Sequence, residues 1–427
     1  MKLNYKRVIL VGFAFFIISA FWQSYDNVMP LILTNKFGLN QTISGIIMAL
    51  DNVLAVFLLP LFGSLSDKTN SRYGKRTPFI VIGCIAAVIA YLFIPVINDL
   101  WLFILVLLLV LVAMAVFRSP AVALMPDVTV KPYRSKANAV INLMGTAGGI
   151  TVLVLGIIFK TSEVGKTDFF FYVAATGGLM IIGLIIFLLT VKEPQWANEM
   201  LRDTELYFPD KEAEEREEFK GKLSKGQLSS LLFILASVAL WYMGYNAVTS
   251  KYSLYATNVL NQNYNTTMLI AQGAAIVSFI PVGMIASKIG RKKTILAGVL
   301  MLFAAFLAAS FLREGAPVFV MYGLFALAGI GWATINVNSF PMVVELSKEG
   351  DVGKYTGYYY TASMAAQVLT PILSGAIMDL AGNMLPLFPY AAVCVGLAFV
   401  TMLFVRHGDN KPVAPKDKLE MLASSDD

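Results

Sequence analysis

Histidine is all but missing from this chain. His407 is the only one in 427 residues, and it stands near the C-terminal end. Imidazole general-base chemistry and zinc motifs that pair histidines on one helix therefore have no material to work with. Cysteine is almost as scarce. Cys84 and Cys394 lie far apart, each inside an apolar run, which fits buried small hydrophobes better than a disulfide frame or a metal site. Neither GxSxG, nor HExxH, nor a Walker loop occurs, so the reading is that the chain is not an enzyme, holds no metal or cofactor, and is not driven by ATP. Charge is thin as well: 14% of residues are Asp, Glu, Lys or Arg, against about a quarter in a soluble domain.

Apolar length fills the gap: 57% of residues are hydrophobic and the mean hydropathy is +0.70. Runs of about 18 or more apolar residues are long enough to cross the hydrocarbon of a bilayer as helices. Twelve such spans are expected, at 8–33, 43–66, 78–97, 100–126, 137–159, 169–191, 228–255, 268–286, 294–312, 318–344, 355–380 and 385–405. A membrane β-barrel would show short alternating segments instead, which excludes it. The opening "MKLNYKRVILVGFAFF" has the basic start of a signal peptide. Its apolar core runs on without a small-residue cleavage site, so it is expected to be the first retained helix.

The basic residues set the orientation. Of 33 lysines and arginines, only Lys36, Lys160, Lys166 and Arg313 fall in loops on the outer side when the N-terminus is inside; Arg118 and Lys251 lie within spans. The rest gather on the inner side, which predicts a multi-pass cell-membrane protein with both termini cytoplasmic. The formal charge of +6 thus reads as anchoring to the lipid bilayer, and no nucleic-acid partner is implied.

Two stretches repeat. "GSLSDKTNSRYGKRTPFI" (63–80) is echoed by "GMIASKIGRKKTIL" (283–296), an offset of 220 from position 63 to 283. "PAVALMPDVTVKPYRSKAN", with Asp127 and Arg134, is echoed by "FPMVVELSKEGDVGKYTG", with Glu345 and Lys354, an offset of 218 from 127 to 345. Two echoes at nearly one offset indicate a duplicated six-helix unit. The expected division is 1–191 for the first bundle, 192–227 for a charged, solvated linker, 228–407 for the second bundle and 408–427 for a tail. Such a duplication places a binding site near the midplane between halves that rock against each other.

The twelve spans and the loop pattern Gly-x-x-x-Asp…Arg-x-Gly-Lys-Arg resemble the major facilitator superfamily over almost the whole chain. Within it, "SDKTNSRYGKRTPFI", "SPAVALMPD…RSKANA" and "VVELS…GKYTGYY…AAQVLTP" are similar to the plant sucrose–proton symporters and their animal relatives. The "SRYGK…P" core also resembles the melibiose-type glycoside–cation symporters. The match departs in one place: Arg118 stands where the melibiose group carries a cation-binding acid. The resemblance implies an all-α membrane fold and a secondary transporter working by alternating access. It also implies a gate in the charged loops, made of Asp67, Arg72, Lys75 and Arg76, with Asp127–Arg134, Glu345–Lys354 and Arg291. The bland alternative is interfacial charge that only anchors topology. Ser287 replaces the acid in the second copy, so that latch is expected to be weaker.

Ionisable groups inside spans are costly and mark function by default. Asp26 and Asp51 lie about 10–12 Å below the outer surface by residue count, where two carboxyls can share a proton. A wetted vestibule rim is the alternative. The resemblance to sucrose symporters adds Asp127 as a third coupling candidate. Arg118 lies deep in the fourth span, and Asn336 is its repeat equivalent. A guanidinium and an amide can grip hydroxyls, or Arg118 can pair with an acid. Gln23, Tyr25, Asn142, Trp241, Tyr242, Tyr245, Asn246, Gln272, Trp332, Asn338 and Gln367 complete the polar set. Aromatic faces with amides suit a sugar, whose C–H faces stack and whose hydroxyls need directional bonds; each alone also serves as helix-packing glue. The small-residue run "GTAGG" (145–149) reads as a place where helices pack closely. The expectation is a monomer that imports a saccharide, a disaccharide or glycoside, with a proton or other monovalent cation. The alternatives are an exporter of drugs or metabolites, a membrane sensor, or a membrane-embedded enzyme.

Overall fold

The computed structural model describes residues 3–130, 133–207, 224–346 and 352–408. Among them no strand occurs. The helices are α1 (Tyr5–Leu31, continued by a π-helical turn at Ile32–Lys36), α2 (Gln41–Lys68), α3 (Thr77–Phe93), α4 (Leu100–Asp127), α5 (Arg134–Ile158), α6 (Phe170–Thr190) and α7 (Glu193–Tyr207). There follow α8 (Lys225–Asn258), α9 (Tyr264–Ile289), α10 (Arg291–Ala309), α11 (Val318–Val344), α12 (Val352–Ala381) and α13 (Leu387–Leu403). Twelve of these match the twelve expected spans, and α7 is additional. Nine are long and apolar enough to cross a membrane among the described residues. A tenth, α9, is bent by 50° between Phe279 and Pro281, where proline removes a helical hydrogen bond and crowds the preceding turn. The remaining two, α3 and α13, are apolar helices of 17 residues each.

The side chains invert the rule of soluble proteins. Trp101, Leu189, Phe171, Phe319 and Leu380 are among the most exposed residues, with Leu380 89% exposed. Apolar area on this scale is stable only against lipid.

The chain forms two compact units: Met1–Leu39 with Leu50–Pro209, and Asn40–Ala49 with Asp210–Asp427. In the first, α1 packs on α5 and α6, and α3 packs on α4 and α6. In the second, α8 packs on α12 and α13, and α10 packs on α11 and α13. Numbered by span, the two sets of pairings are the same, which is the architectural form of the sequence duplication. The "GTAGG" run explains the α1–α5 contact: a Cβ on Gly148 would lie 2.2 Å from the carbonyl oxygen of Phe16. Only a residue without a side chain allows that approach.

The start of α2 belongs to the second unit. The Asp379 carboxylate, at the end of α12, accepts from the amides of Gln41 and Thr42 at 2.9 and 2.7 Å and from the Thr42 hydroxyl at 2.5 Å. It thereby caps α2 from another helix, supplying acceptors to orphan donors and a negative charge to the helix dipole. Lys251, buried in α8, donates to the Gln41 carbonyl at 3.0 Å.

Candidate functional site

In the first unit, α1 carries Trp22, Gln23, Tyr25 and Asp26 within little more than one turn. Asp51 comes from α2 and Arg118 from α4. The Arg118 guanidinium carbon lies 5.7 Å from the Trp22 ring centroid, a cation–π contact inside a low-dielectric span. Trp22, Asp51 and Arg118 line one cavity whose other walls are aliphatic, from Leu54 and Leu59 to Leu111 and Met114. Asp26 is within electrostatic range of both Asp51 and Arg118. The three ionisable groups thus form one cluster with two carboxyls and one guanidinium. Asn52 donates to Asp51 Oδ1 through its backbone at 2.5 Å and its amide at 2.7 Å. Gln23 donates to Asn27 at 3.2 Å. The Trp22 indole N–H and the Tyr25 hydroxyl are buried with no hydrogen-bond partner among the described residues, a costly state for such groups. The Asn142 amide on α5 is also buried and unpartnered there, but no described contact joins it to this cluster.

The second unit carries an aromatic group. Tyr245 on α8 and Trp332 on α11 stack face to face, 3.7 Å between centroids and 4° from parallel. Tyr242 meets the same indole edge-on at 5.2 Å. About two turns along α11, Ser339 shares a hydrogen bond with Tyr359 of α12 at 2.9 Å. The amide nitrogen of Asn246, the residue after Tyr245 on α8, has no partner among the described residues. Asn336, Gln272 and Gln367 are half-buried on α11, α9 and α12. Two expected members sit differently. Asn338 is buried and donates to the Thr334 carbonyl one turn back at 2.9 Å, so that donor is used within its own helix. Trp241 is fully buried among packed helices.

The charged loops depart from the expected pairs. Asp127 is held by Arg76 Nε at 2.8 Å and lies 3.7 Å from Lys75 Nζ. The same Arg76 guanidinium pairs with Asp67 and donates to Ser66 Oγ at 2.5 Å. Arg134, expected on Asp127, instead donates to the carbonyls of Pro126 and Thr129 at 3.0 and 3.2 Å. Arg72, expected near Asp67, is exposed and lies over the Tyr73 ring at 4.6 Å. In the second unit Glu345 pairs with Arg291, whereas Lys354 is exposed and lies 6.0 Å from the Tyr358 ring. Ser287 donates to the Met284 carbonyl of its own helix at 2.8 Å. In both copies the acid at the end of the fourth span therefore pairs with an arginine at the start of the third. Burial alone would favour loss of the Arg76 proton. Asp127 and Asp67 outweigh that and hold its pKa above the ordinary guanidinium value. Sequence reasoning missed Glu193 at the start of α7 and Asp379 at the end of α12. The one available signal was the intramembrane Lys251.

The Major Facilitator Superfamily pattern matches residues 11–308 and, in a second match, 265–424. A probable nitrate transporter NarT of Staphylococcus epidermidis is 26% identical over 183 residues, 43% of this chain and 45% of that protein. An uncharacterized MFS-type transporter of Methanocaldococcus jannaschii is 21% identical over 402 residues, 94% of this chain and 95% of the other. Among solved structures, the nucleoside transporter NupG superposes with a TM-score of 0.68 at 14% identity, over 94% of this chain and all of that one. The inward-open xylose transporter XylE of E. coli gives 0.68 at 13%, over 95% and 97%. These likenesses fix the fold. A membrane-spanning secondary transporter of alternating access is the class defined here, and the chain belongs to the Major Facilitator Superfamily. It is a transporter and not an enzyme.

Proposed function

We propose that this transporter takes up a saccharide with a proton, with its termini and the Asp67 and Arg291 loops on the cytoplasmic side. The stacked Tyr245–Trp332 pair, with Tyr242 edge-on and the unpartnered amide nitrogen of Asn246 next along α8, carries the reading. An aromatic face, with an uncommitted amide donor on the residue next to Tyr245, suits a pyranose, which offers C–H groups on one side and hydroxyls around its rim. The organisation of the first unit supports the proton. With both carboxyls ionised, Asp26, Asp51 and Arg118 carry one net negative charge beside an aliphatic wall, and one bound proton neutralises it. Asp127 is engaged by Arg76 and Lys75, and we assign it to the gate and not to coupling. The Arg76–Asp67–Asp127 network is the gate of the first unit, and Arg291–Glu345 is its counterpart in the second. Purified protein in proteoliposomes, given labelled mono- and disaccharides and an inward proton gradient, tests the reading. Uptake of at least one sugar above its equilibrium level, abolished by a protonophore, is expected. Uptake of nitrate or nucleoside with no sugar response would remove it.

A further inference from the structure

We infer that Glu193, the first residue of α7, is a positioning residue of the gate, an inference that rests on the gate reading above. The need for it arises at α3. Its first amides need acceptors, yet its N-cap is Arg76, whose side chain makes no capping hydrogen bond. Glu193 supplies what Arg76 cannot. Its carboxylate accepts from the backbone N–H of Arg76 at 2.8 Å, the N–H of Thr77 at 2.8 Å and the Thr77 hydroxyl at 2.7 Å. Glu193 is only 2% exposed, a burial that an ionised carboxylate tolerates when its lone pairs are met by such donors. The loop is shaped to receive it. Gly74 has φ +104°, and a Cβ there would lie 2.2 Å from the Glu193 carboxyl carbon.

The same residue whose amide Glu193 fixes is the one whose guanidinium joins Asp67 to Asp127. Fixing the Arg76 backbone sets where that side chain begins, so the bridge between α2 and α4 depends on a carboxylate reaching across from α7. The helix is tied down at a second point. Arg7 of α1 pairs with Glu199 at 2.5 Å and lies 5.2 Å from the Trp196 ring. Hydrogen bonds from Gln195 and Arg7 hold Glu199 below the ordinary glutamate pKa, so this tie persists at neutral pH. The opening of the linker is thus a strap across the ends of α1 and α3, and a structural part of the gate.

Hydrogen exchange on the full-length reconstituted protein tests this without a known substrate. Arg76→Gln is expected to speed amide exchange at the last turns of α2 and α4, where Asp67 and Asp127 sit, by on the order of tenfold. Glu193→Gln is expected to do the same at those distant turns, and the double variant to add nothing further. Exchange that quickens only at 72–80, or effects that add in the double variant, would mean that Glu193 merely supports its own loop and would overturn the inference. If Glu193→Gln does not yield a monodisperse protein, Thr77→Val removes one of the three hydrogen bonds and is read by the same two criteria, with an effect of a few fold. A silent Arg76→Gln would overturn the gate reading itself, whereas a silent Glu193→Gln beside an active Arg76→Gln would overturn only this inference.

Discussion

A single indole shows how much one residue decides. Trp332 is stacked on one face by Tyr245 and met at a near right angle by Tyr242, while Trp101 is 79% exposed at the start of α4. Aromatic contact is worth about 0.5–1.5 kcal/mol beyond area burial, or roughly two- to tenfold in affinity. Trp332→Ala is therefore expected to weaken sugar binding by that factor or more, and Trp101→Ala to leave it unchanged. Equilibrium binding of a transported sugar to the two purified variants checks this, and equal affinities would place the sugar elsewhere. At this scale the sequence was readable where chemistry and setting disagreed. Asp26, Asp51 and Arg118 stand out because charge inside an apolar run needs a reason, and the structure gathers all three. Glu193 was hidden for the opposite reason. It sits among other charges in a polar linker, where a solvated side chain is the ordinary outcome. Arg134 and Lys354 misled because nearness along the chain stood in for nearness in space. The arginines that face Asp127 and Glu345 come from the ends of other helices.

Elements carry the duplication. Both bundles pair their first span with the fifth and sixth and their third with the fourth and sixth, and the sequence shows this only through two loop echoes. The packing within one such pair makes a sharp test. Gly148 on α5 meets the α1 backbone at Phe16, where a Cβ would lie 2.2 Å from a carbonyl oxygen, whereas Gly178 on α6 has nothing within 4 Å. Gly148→Ala forces two backbones apart and is expected to cost about 1–3 kcal/mol. Gly178→Ala only trades backbone freedom for helix propensity and is expected to be neutral or to stabilise by up to about 1 kcal/mol. Thermal unfolding in detergent should therefore show a lowered Tm for the first variant and an unchanged or raised Tm for the second. Equal Tm values would mean that α1 and α5 are not held at this contact. The bend of α9 at Pro281 and the capping of α2 by Asp379 belong to the same scale and divide in legibility. Proline announces a bend in any sequence. A carboxylate that caps a helix more than 300 residues away (Gln41 against Asp379) announces nothing until the fold brings them together.

For the whole molecule, the question is how a gradient becomes work. Alternating access alone equilibrates a solute; accumulation needs a second species whose binding changes which state is reached. On the reading proposed above, the cluster of Asp26, Asp51 and Arg118 senses that species. Its two carboxyls compete for one guanidinium in an aliphatic wall, so the empty site favours taking up a single positive charge. Replacing the carboxyl that carries the proton by an amide leaves size and hydrogen bonding nearly intact and fixes the local charge. Asp26→Asn and Asp51→Asn, made singly, should therefore separate two activities in proteoliposomes. Uphill accumulation driven by an imposed pH gradient should be lost in the variant that removes the proton carrier. Exchange of labelled for unlabelled sugar should survive in the same variant, because exchange cycles without releasing the proton. Asp127→Asn should behave otherwise: with Arg76 and Lys75 losing a partner, accumulation and exchange should slow together, with coupling retained. If both Asp26→Asn and Asp51→Asn still concentrate sugar against a gradient, the cluster does not carry the proton. Arg118 would then have to be explained as a packing charge, held by its two acids and the Trp22 ring.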